Sequence, residues 1–222
     1  MKNILLVGAN SATSLDLITN YENKYNFIKM SRNPEYSDVE NFDLLDEKTY
    51  YSENIEIDGI IYFPGTINLK QFERLKVEDF EKDFNVNVIG LIKILKFYKK
   101  QLQKNSSIVL FSTVATKLGM PYHCSTSMVK SAINGITISL AAEWAPSIRV
   151  NCISPSLFKS NMSSKFFSSE KSIERISNNH PLKRTGRTND ISSLINFLIS
   201  DESSWITGQN ISVDGGMSTL KI

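Results

Sequence analysis

Lys130 is the residue whose surroundings most demand a chemical explanation. It stands among Met128, Val129, Ala132, Ile133 and Ile136, apolar residues at helical spacing. An ammonium on such a face is costly unless it finds a partner. A bound sugar hydroxyl would supply one; the alternative is a side chain that snorkels from the rim of the apolar face to water. Just ahead of this helix come Tyr122 and His123. Both can carry a proton, and imidazole is the side chain that titrates near neutral pH. Both could equally do no more than cap the helix and pack on a neighbour.

A second chemical signal lies near the N-terminus. The apolar run Ile4 to Val7 ends at Gly8 and is followed by Ala9-Asn10-Ser11-Ala12-Thr13-Ser14. A strand that enters a tight turn and then a helix aims backbone N–H groups and the positive end of the helix dipole at one spot, which suits a phosphate. Ala12 and Ser14 are small enough for close approach, and the hydroxyls of Ser11 and Thr13 add donors. A plain strand-to-helix turn would use the same residues.

These residues must be positioned by regular elements, and the chain alternates short aliphatic runs with longer helical patterns. Strands are predicted near 3 to 7, 25 to 30, 57 to 63, 107 to 111, 148 to 153 and 210 to 213. Helices are predicted over 71 to 84, 86 to 103, 126 to 144 and 188 to 200. The alternation predicts an α/β fold around a parallel, doubly wound sheet. The stretch 158 to 179, rich in Ser, Lys and Phe, reads either as a substrate lid or as a solvated helical excursion.

Composition narrows the classes. With 222 residues and 41% hydrophobic content, the chain suits one domain, 1 to 222. Lys and Arg number 25 against 23 Asp and Glu, so no broad basic field invites nucleic acid or an anionic membrane. Apolar runs are too short to span a bilayer. Cys124 and Cys152 have no metal-type spacing, and no metal is expected. A reduced, cytoplasmic protein is the expectation.

An ordered series of motifs extends these readings. Val7 to Ser14 falls on Thr-Gly-x-x-x-Gly-x-Gly with two glycines replaced, and Asp43-Leu44-Leu45-Asp46 on Asp-Val-x-Asp. Phe63-Pro64-Gly65 stands for Asn-Ala-Gly, and Asn87-Val88-Ile89-Gly90 for Asn-x-x-Gly. Ile148 to Ser156 is close to Ile-Arg-Val-Asn-x-Ile-x-Pro-Gly. Pro181 to Gly186, Trp205 to Gln209 and Val213 to Gly216 complete the series. In this the chain resembles the short-chain dehydrogenase/reductase family, including its 3-oxoacyl-ACP reductase-like members, over essentially its whole length.

The resemblance implies a Rossmann-type fold, a dinucleotide and a small carbonyl/alcohol substrate. It implies that Asp43 meets the adenine at the end of a third strand with Leu44 beside the ring, and that Gly8 to Thr13 and Phe63, Pro64 and Gly65 line the dinucleotide. Pro155, Ser156, Leu157 and Ser160 fall at its nicotinamide end. Residues 44 to 62 are shorter than usual, implying a trimmed helix there. Cofactor choice is read at Ser31 and Arg32, where no acidic residue stands to repel a 2′-phosphate; Ser31 can donate to it and Arg32 can pair with it, which favours NADP(H). Arg32 as an ordinary solvated cation is the alternative.

In the family, a Lys stabilises a tyrosinate four residues before it and holds the ribose, and a Ser orients the substrate oxygen. Lys130 matches the Lys, and Thr113, seventeen residues earlier, matches the Ser, with Ser112 beside it. Asn87 matches the relay asparagine that keeps a helix kinked. The tyrosine position is Thr126, whose hydroxyl does not ionise usefully near neutral pH. Three readings follow: proton donation by Tyr122 or His123, an arrangement similar to enoyl-thioester reductases; a water relay through Thr126, Thr113 and Asn87; or dinucleotide binding without turnover, as a sensor or scaffold. The resemblance also implies a homodimer or homotetramer through helices 86 to 103 and 126 to 144 and the segment 213 to 222.

Overall fold

Strand β1 (Lys2–Val7) shows why a sheet forms at the centre. Ile4, Leu5, Leu6 and Val7 are all fully buried, and alternate residues enter two different cores: Leu5 and Val7 on one face, Ile4 and Leu6 on the other. A strand buried on both faces must have neighbours in its own plane and helices above and below. The computed structural model describes residues 1 to 221 and supplies both.

The remaining strands are β2 (Tyr25–Met30), β3 (Ile57–Tyr62), β4 (Leu102–Phe111), β5 (Ile148–Pro155) and β6 (Asn210–Val213). All pairings are parallel, in the order β2-β1-β3-β4-β5-β6. Helices α1 (Ala12–Tyr21) and α6 (Thr188–Ile199) cover one face through Leu17, Ile191, Ile195 and Leu198. On the other lie α2 (Val77–Phe84), α3 (Gly90–Tyr98) and α4 (Cys124–Trp144), with Leu91, Ile94, Tyr98 and Ile133 in the core. This is the expected single-domain, Rossmann-like doubly wound fold. The strand order reverses between β1 and β3, so the loops after their carboxyl ends splay apart and leave a crevice. Gly8 follows β1, Phe63 to Gly65 follow β3, and Ser112 and Thr113 follow β4.

Several elements depart from expectation. Helix 86 to 103 is not continuous: Asn85–Ile89 is a single π-helical turn, α3 ends at Tyr98, and β4 begins at Leu102 by pairing with Ile57. Leu102 continues the helical spacing of the apolar residues before it, so periodicity alone carries the prediction past the true end. The segment 71 to 84 is divided into a 3-10 turn, Phe72–Arg74, and α2. No third strand precedes Asp43. The chain there is drawn inward instead, with Phe42, Leu44 and Tyr50 buried and the Tyr50 hydroxyl donating to Leu44 O at 2.5 Å. The trimmed helix is reduced to a 3-10 turn, Glu47–Thr49. In the excursion, Ser164–Phe167 forms a 3-10 turn and α5 (Glu170–Asn178) a helix.

Gly90 joins this inward segment to the π turn. A Cβ there would lie 2.7 Å from Leu44 and 2.9 Å from the Tyr62 hydroxyl, and that hydroxyl already donates to Val86 O at 2.7 Å. Gly90→Ala is expected to destabilise the fold by about 2 kcal/mol, the usual scale of overpacking, measured by urea unfolding. An unchanged midpoint would show that Leu44 has room to yield.

Candidate active site

The site begins with Lys130 because the fold leaves its ammonium little choice. The residue is 8% exposed, and Nζ donates to Phe111 O at the end of β4, 3.0 Å away. Across the crevice lies Gly65. A Cβ added there would stand 3.1 Å from Lys130 Nζ and 3.1 Å from Asn87 Oδ1. Ammonium and amide oxygen therefore converge on the bare face of one glycine, a donor and an acceptor within reach of one small hydroxylic group.

Burial pulls the Lys130 pKa down from 10.5 to about 8, with the Cys152 sulfur acting weakly in the opposite direction. The folded chain gives up this proton before the unfolded chain does. Between pH 8 and the ordinary lysine range the unfolded state holds more protons, so this residue makes stability rise with pH over that window.

Asn87 is fully buried within the π turn, a device often found where a helix is bent for function. Its Nδ2 donates to Thr66 Oγ1 at 2.9 Å and to Asp83 O at 2.8 Å. Its Oδ1 has no partner among the described residues. Thr113 is half-buried, and its Oγ1 accepts from Ala115 N at 3.3 Å, which leaves its proton to give. Ser112 is buried and spends its proton on Lys130 O at 3.1 Å, so it acts on the helix backbone rather than facing the crevice. Thr126 is also buried, and its Oγ1 accepts from Asn68 N at 3.4 Å. Tyr122 stands at positive φ on the turn before α4 and is 55% exposed. His123 Nδ1 lies 2.7 Å from Pro121 O. Since a carbonyl only accepts, that nitrogen carries the proton and Nε2 is the free one.

At the other end of the crevice Gly8 takes a φ of +81°, with Phe63 and Pro64 packed against its α-carbon. Of the three glycine positions in this motif, this is the one that needs left-handed backbone. Ala12 and Ser14 lie in the first turn of α1, where ordinary helical backbone suits any residue. Ser11 caps the helix by accepting from Ser14 N at 3.1 Å. Helix geometry leaves the Ala12 and Thr13 amides without intrahelical acceptors, and Asn10 is exposed beside them. The Thr13 side chain is buried instead. Phe63 stacks on Phe111, with ring centroids 5.3 Å apart.

The remaining expected cofactor-side residues lie around the same edge of the sheet and beyond it. Ser31 is buried and its Oγ accepts from Asn33 N at 3.0 Å, whereas Arg32 is exposed and makes no ion pair among the described residues. Asp43 is exposed, and its Oδ1 accepts from Leu45 N at 2.9 Å; Leu44 is buried against Gly90. Pro155 closes β5. Ser156 Oγ lies 2.8 Å from His180 Nε2, Leu157 O accepts from Gly186 N, and Ser160 Oγ lies 3.0 Å from Ser163 Oγ. A cavity of about 380 Å³ opens beside Ser156, Leu157 and His180, and neither Lys130, Thr113 nor Asn87 lines it. Thr66, Asp83 and Ser125, which complete the polar cluster around Asn87, were not among the expected site residues; the spacing of Asp83 and Asn87, four apart, was the signal that two polar groups share one helix face.

The residues at the crevice fit a dinucleotide on two counts: the bare Gly65 face set between a buried donor and an unpartnered buried acceptor, and the left-handed Gly8 at a helix N-terminus. A family model described as enoyl-(acyl carrier protein) reductase matches residues 47–218. The chain belongs to the short-chain dehydrogenase/reductase family of oxidoreductases. The 3-oxoacyl-(acyl-carrier-protein) reductase FabG of Thermotoga maritima is 34% identical over 164 residues, covering 72% of this chain and 66% of that protein. The match thus spans just under two thirds of that relative's length. Among solved structures, 4-hydroxyisoleucine dehydrogenase complexed with NADH is 26% identical with a TM-score of 0.88, each chain covered fully at 100%. A tyrosine-to-phenylalanine variant of ElxO with NADPH bound is 25% identical with a TM-score of 0.84, 99% of each chain being covered. Among the described residues of this short-chain dehydrogenase/reductase no helix is long and apolar enough to cross a membrane.

Replacing a buried ammonium by an apolar chain of similar length removes a desolvation cost. Lys130→Met is expected to raise the thermal unfolding midpoint at pH 7 by several degrees and to flatten the rise in stability above pH 8, both read by calorimetry across pH. A lower midpoint at pH 7 would mean that the ammonium stabilises the fold.

Proposed function

We propose that the chain is an NADP(H)-dependent oxidoreductase acting on a small carbonyl/alcohol pair. The observation that carries this reading is the convergence of Lys130 Nζ and Asn87 Oδ1 on Gly65. Lys130 would hold the nicotinamide ribose, the Gly8 to Thr13 turn the pyrophosphate, and Arg32 the 2′-phosphate. When bound, the nicotinamide supplies or accepts the hydride. Thr113 gives a hydrogen bond to the substrate oxygen, and the Lys130 ammonium stabilises negative charge developing nearby.

Proton delivery falls to His123 in this reading. Its Nδ1–H is tied to Pro121 O, which fixes the ring; the bare Nε2 takes the proton of an alcohol in the oxidising direction, and in the reducing direction the doubly protonated ring gives that proton back from Nε2, directly or through water. Tyr122, being 55% exposed, is the second choice. The acidic group at the reacting oxygen is thereby moved from the position of Thr126 to the turn ahead of α4. That placement and the description of the matching family model both favour enoyl thioesters as the next substrates to try. Binding without turnover is favoured by Thr126 alone.

The proposed setting is a cytoplasmic homodimer or homotetramer. It is supported by two free cysteines, Cys124 and Cys152, and by exposed apolar side chains at Ile92, Met128, Ile138 and Trp205.

Fluorescence titration is expected to show tighter binding of NADPH than NADH, and Arg32→Glu to reverse that preference by about tenfold or more, the effect of replacing an ion pair with repulsion at a phosphate. Equal preference in both proteins would remove Arg32 from the site. With 3-oxoacyl and enoyl thioesters as substrates, His123→Asn is expected to lower turnover about a hundredfold with NADPH affinity kept. Unchanged turnover would shift the assignment to Tyr122, and no turnover in the parent protein would leave the binding-only reading.

A further inference from the structure

Asp83 is a carboxylate 3% exposed at the inner side of α2, without a cation as partner among the described residues. Two hydroxyls hold it instead. Thr66 Oγ1 donates to Oδ1 at 2.6 Å, and Ser125 Oγ donates to Oδ2. A carboxylate can only accept, so both hydroxyl protons are committed to it. Thr66 Oγ1 has then only lone pairs left, and the side chain that meets them is Asn87, through Nδ2 at 2.9 Å. The second proton of that amide goes to the backbone carbonyl of Asp83 at 2.8 Å, another group that can only accept. The polarity of each bond is dictated by the one before it.

We propose that Asp83, acting through Thr66, is a positioning residue that locks the Asn87 amide with Oδ1 facing Gly65 and Lys130, so that the crevice offers an acceptor beside the ammonium. Were the amide turned over, Nδ2 would point at the Lys130 ammonium, two donors would face each other, and a ribose hydroxyl would lose its acceptor. Asn87 Oδ1 is buried and has no partner among the described residues, a cost that a ligand hydroxyl would relieve. The link to the ribose rests on the dinucleotide reading above; the locking of the amide does not.

The test uses Thr66→Val, which keeps the shape and removes the hydroxyl, and Thr66→Ser, which keeps the hydroxyl. The first readout needs no cofactor: hydrogen exchange of the Asn87 side-chain amide in the 15N-labelled protein, its resonances assigned by their loss in Asn87→Asp. Exchange is expected to be slow in the parent and in Thr66→Ser, and about tenfold or more faster in Thr66→Val, the scale of one lost hydrogen bond. The second readout is NADPH titration far below the unfolding midpoint. The dissociation constant is expected to rise about tenfold in Thr66→Val and to stay within about twofold of the parent in Thr66→Ser. Equal exchange in all three proteins overturns the lock. Faster exchange with unchanged NADPH affinity overturns its role toward the ribose. Failure of the parent to bind either dinucleotide counts against the dinucleotide reading and the ribose role together, and the exchange measurement still decides the lock.

Discussion

Holding the ammonium of a lysine that is only 8% exposed is the constraint on which the rest of this structure depends. Lys130 Nζ reaches Phe111 O, but a single carbonyl does not replace the hydration of a charge. Burial accordingly draws its pKa down to about 8. The site therefore keeps a cation close to its neutralisation point, beside a glycine that cannot fill the gap and an amide oxygen that is otherwise unpartnered. A fold optimised for stability alone would place an apolar residue here; the departure is the kind that functional sites show.

The surrounding elements serve that placement. Parallel pairing brings the ends of β1, β3 and β4 into line, which sets Gly8, Gly65 and the Ser112 to Thr113 pair on one edge of the sheet. The π turn at Asn85–Ile89 rotates Asn87 toward Gly65, and Gly90 lets the following helix close on Leu44. On the opposite wall α4 carries Ser125, Thr126 and Lys130 on its buried side. Position 126 carries a threonine, buried on the same side of α4 as Lys130. In the proposed reading the proton comes from the turn carrying Tyr122 and His123, directly ahead of α4.

The sheet was legible because strands buried on both faces are written in uninterrupted aliphatic runs, as in Ile4 to Val7 and Ile108 to Leu110. The family resemblance located Lys130, Thr113, Gly65 and Asn87, and the structure brings Lys130, Gly65 and Asn87 together. Where reading by motif went astray, local packing had taken over. Asp43 and Leu44 match their motif in letters, yet without a third strand the buried Phe42, Leu44 and Tyr50 pull that segment into the core. The polar cluster of Thr66, Asp83 and Ser125 joins three separate elements, and only folding discloses it.

In the proposed complex a ligand hydroxyl occupies the bare face of Gly65 between Lys130 and Asn87. Calorimetric titration of Gly65→Ala with NADPH tests it most directly, because the added methyl would stand 3.1 Å from both polar atoms. The variant is expected to fold as the parent does and to bind NADPH at least about a hundredfold more weakly, the scale of two lost polar contacts. Undiminished affinity in a folded Gly65→Ala protein would contradict it.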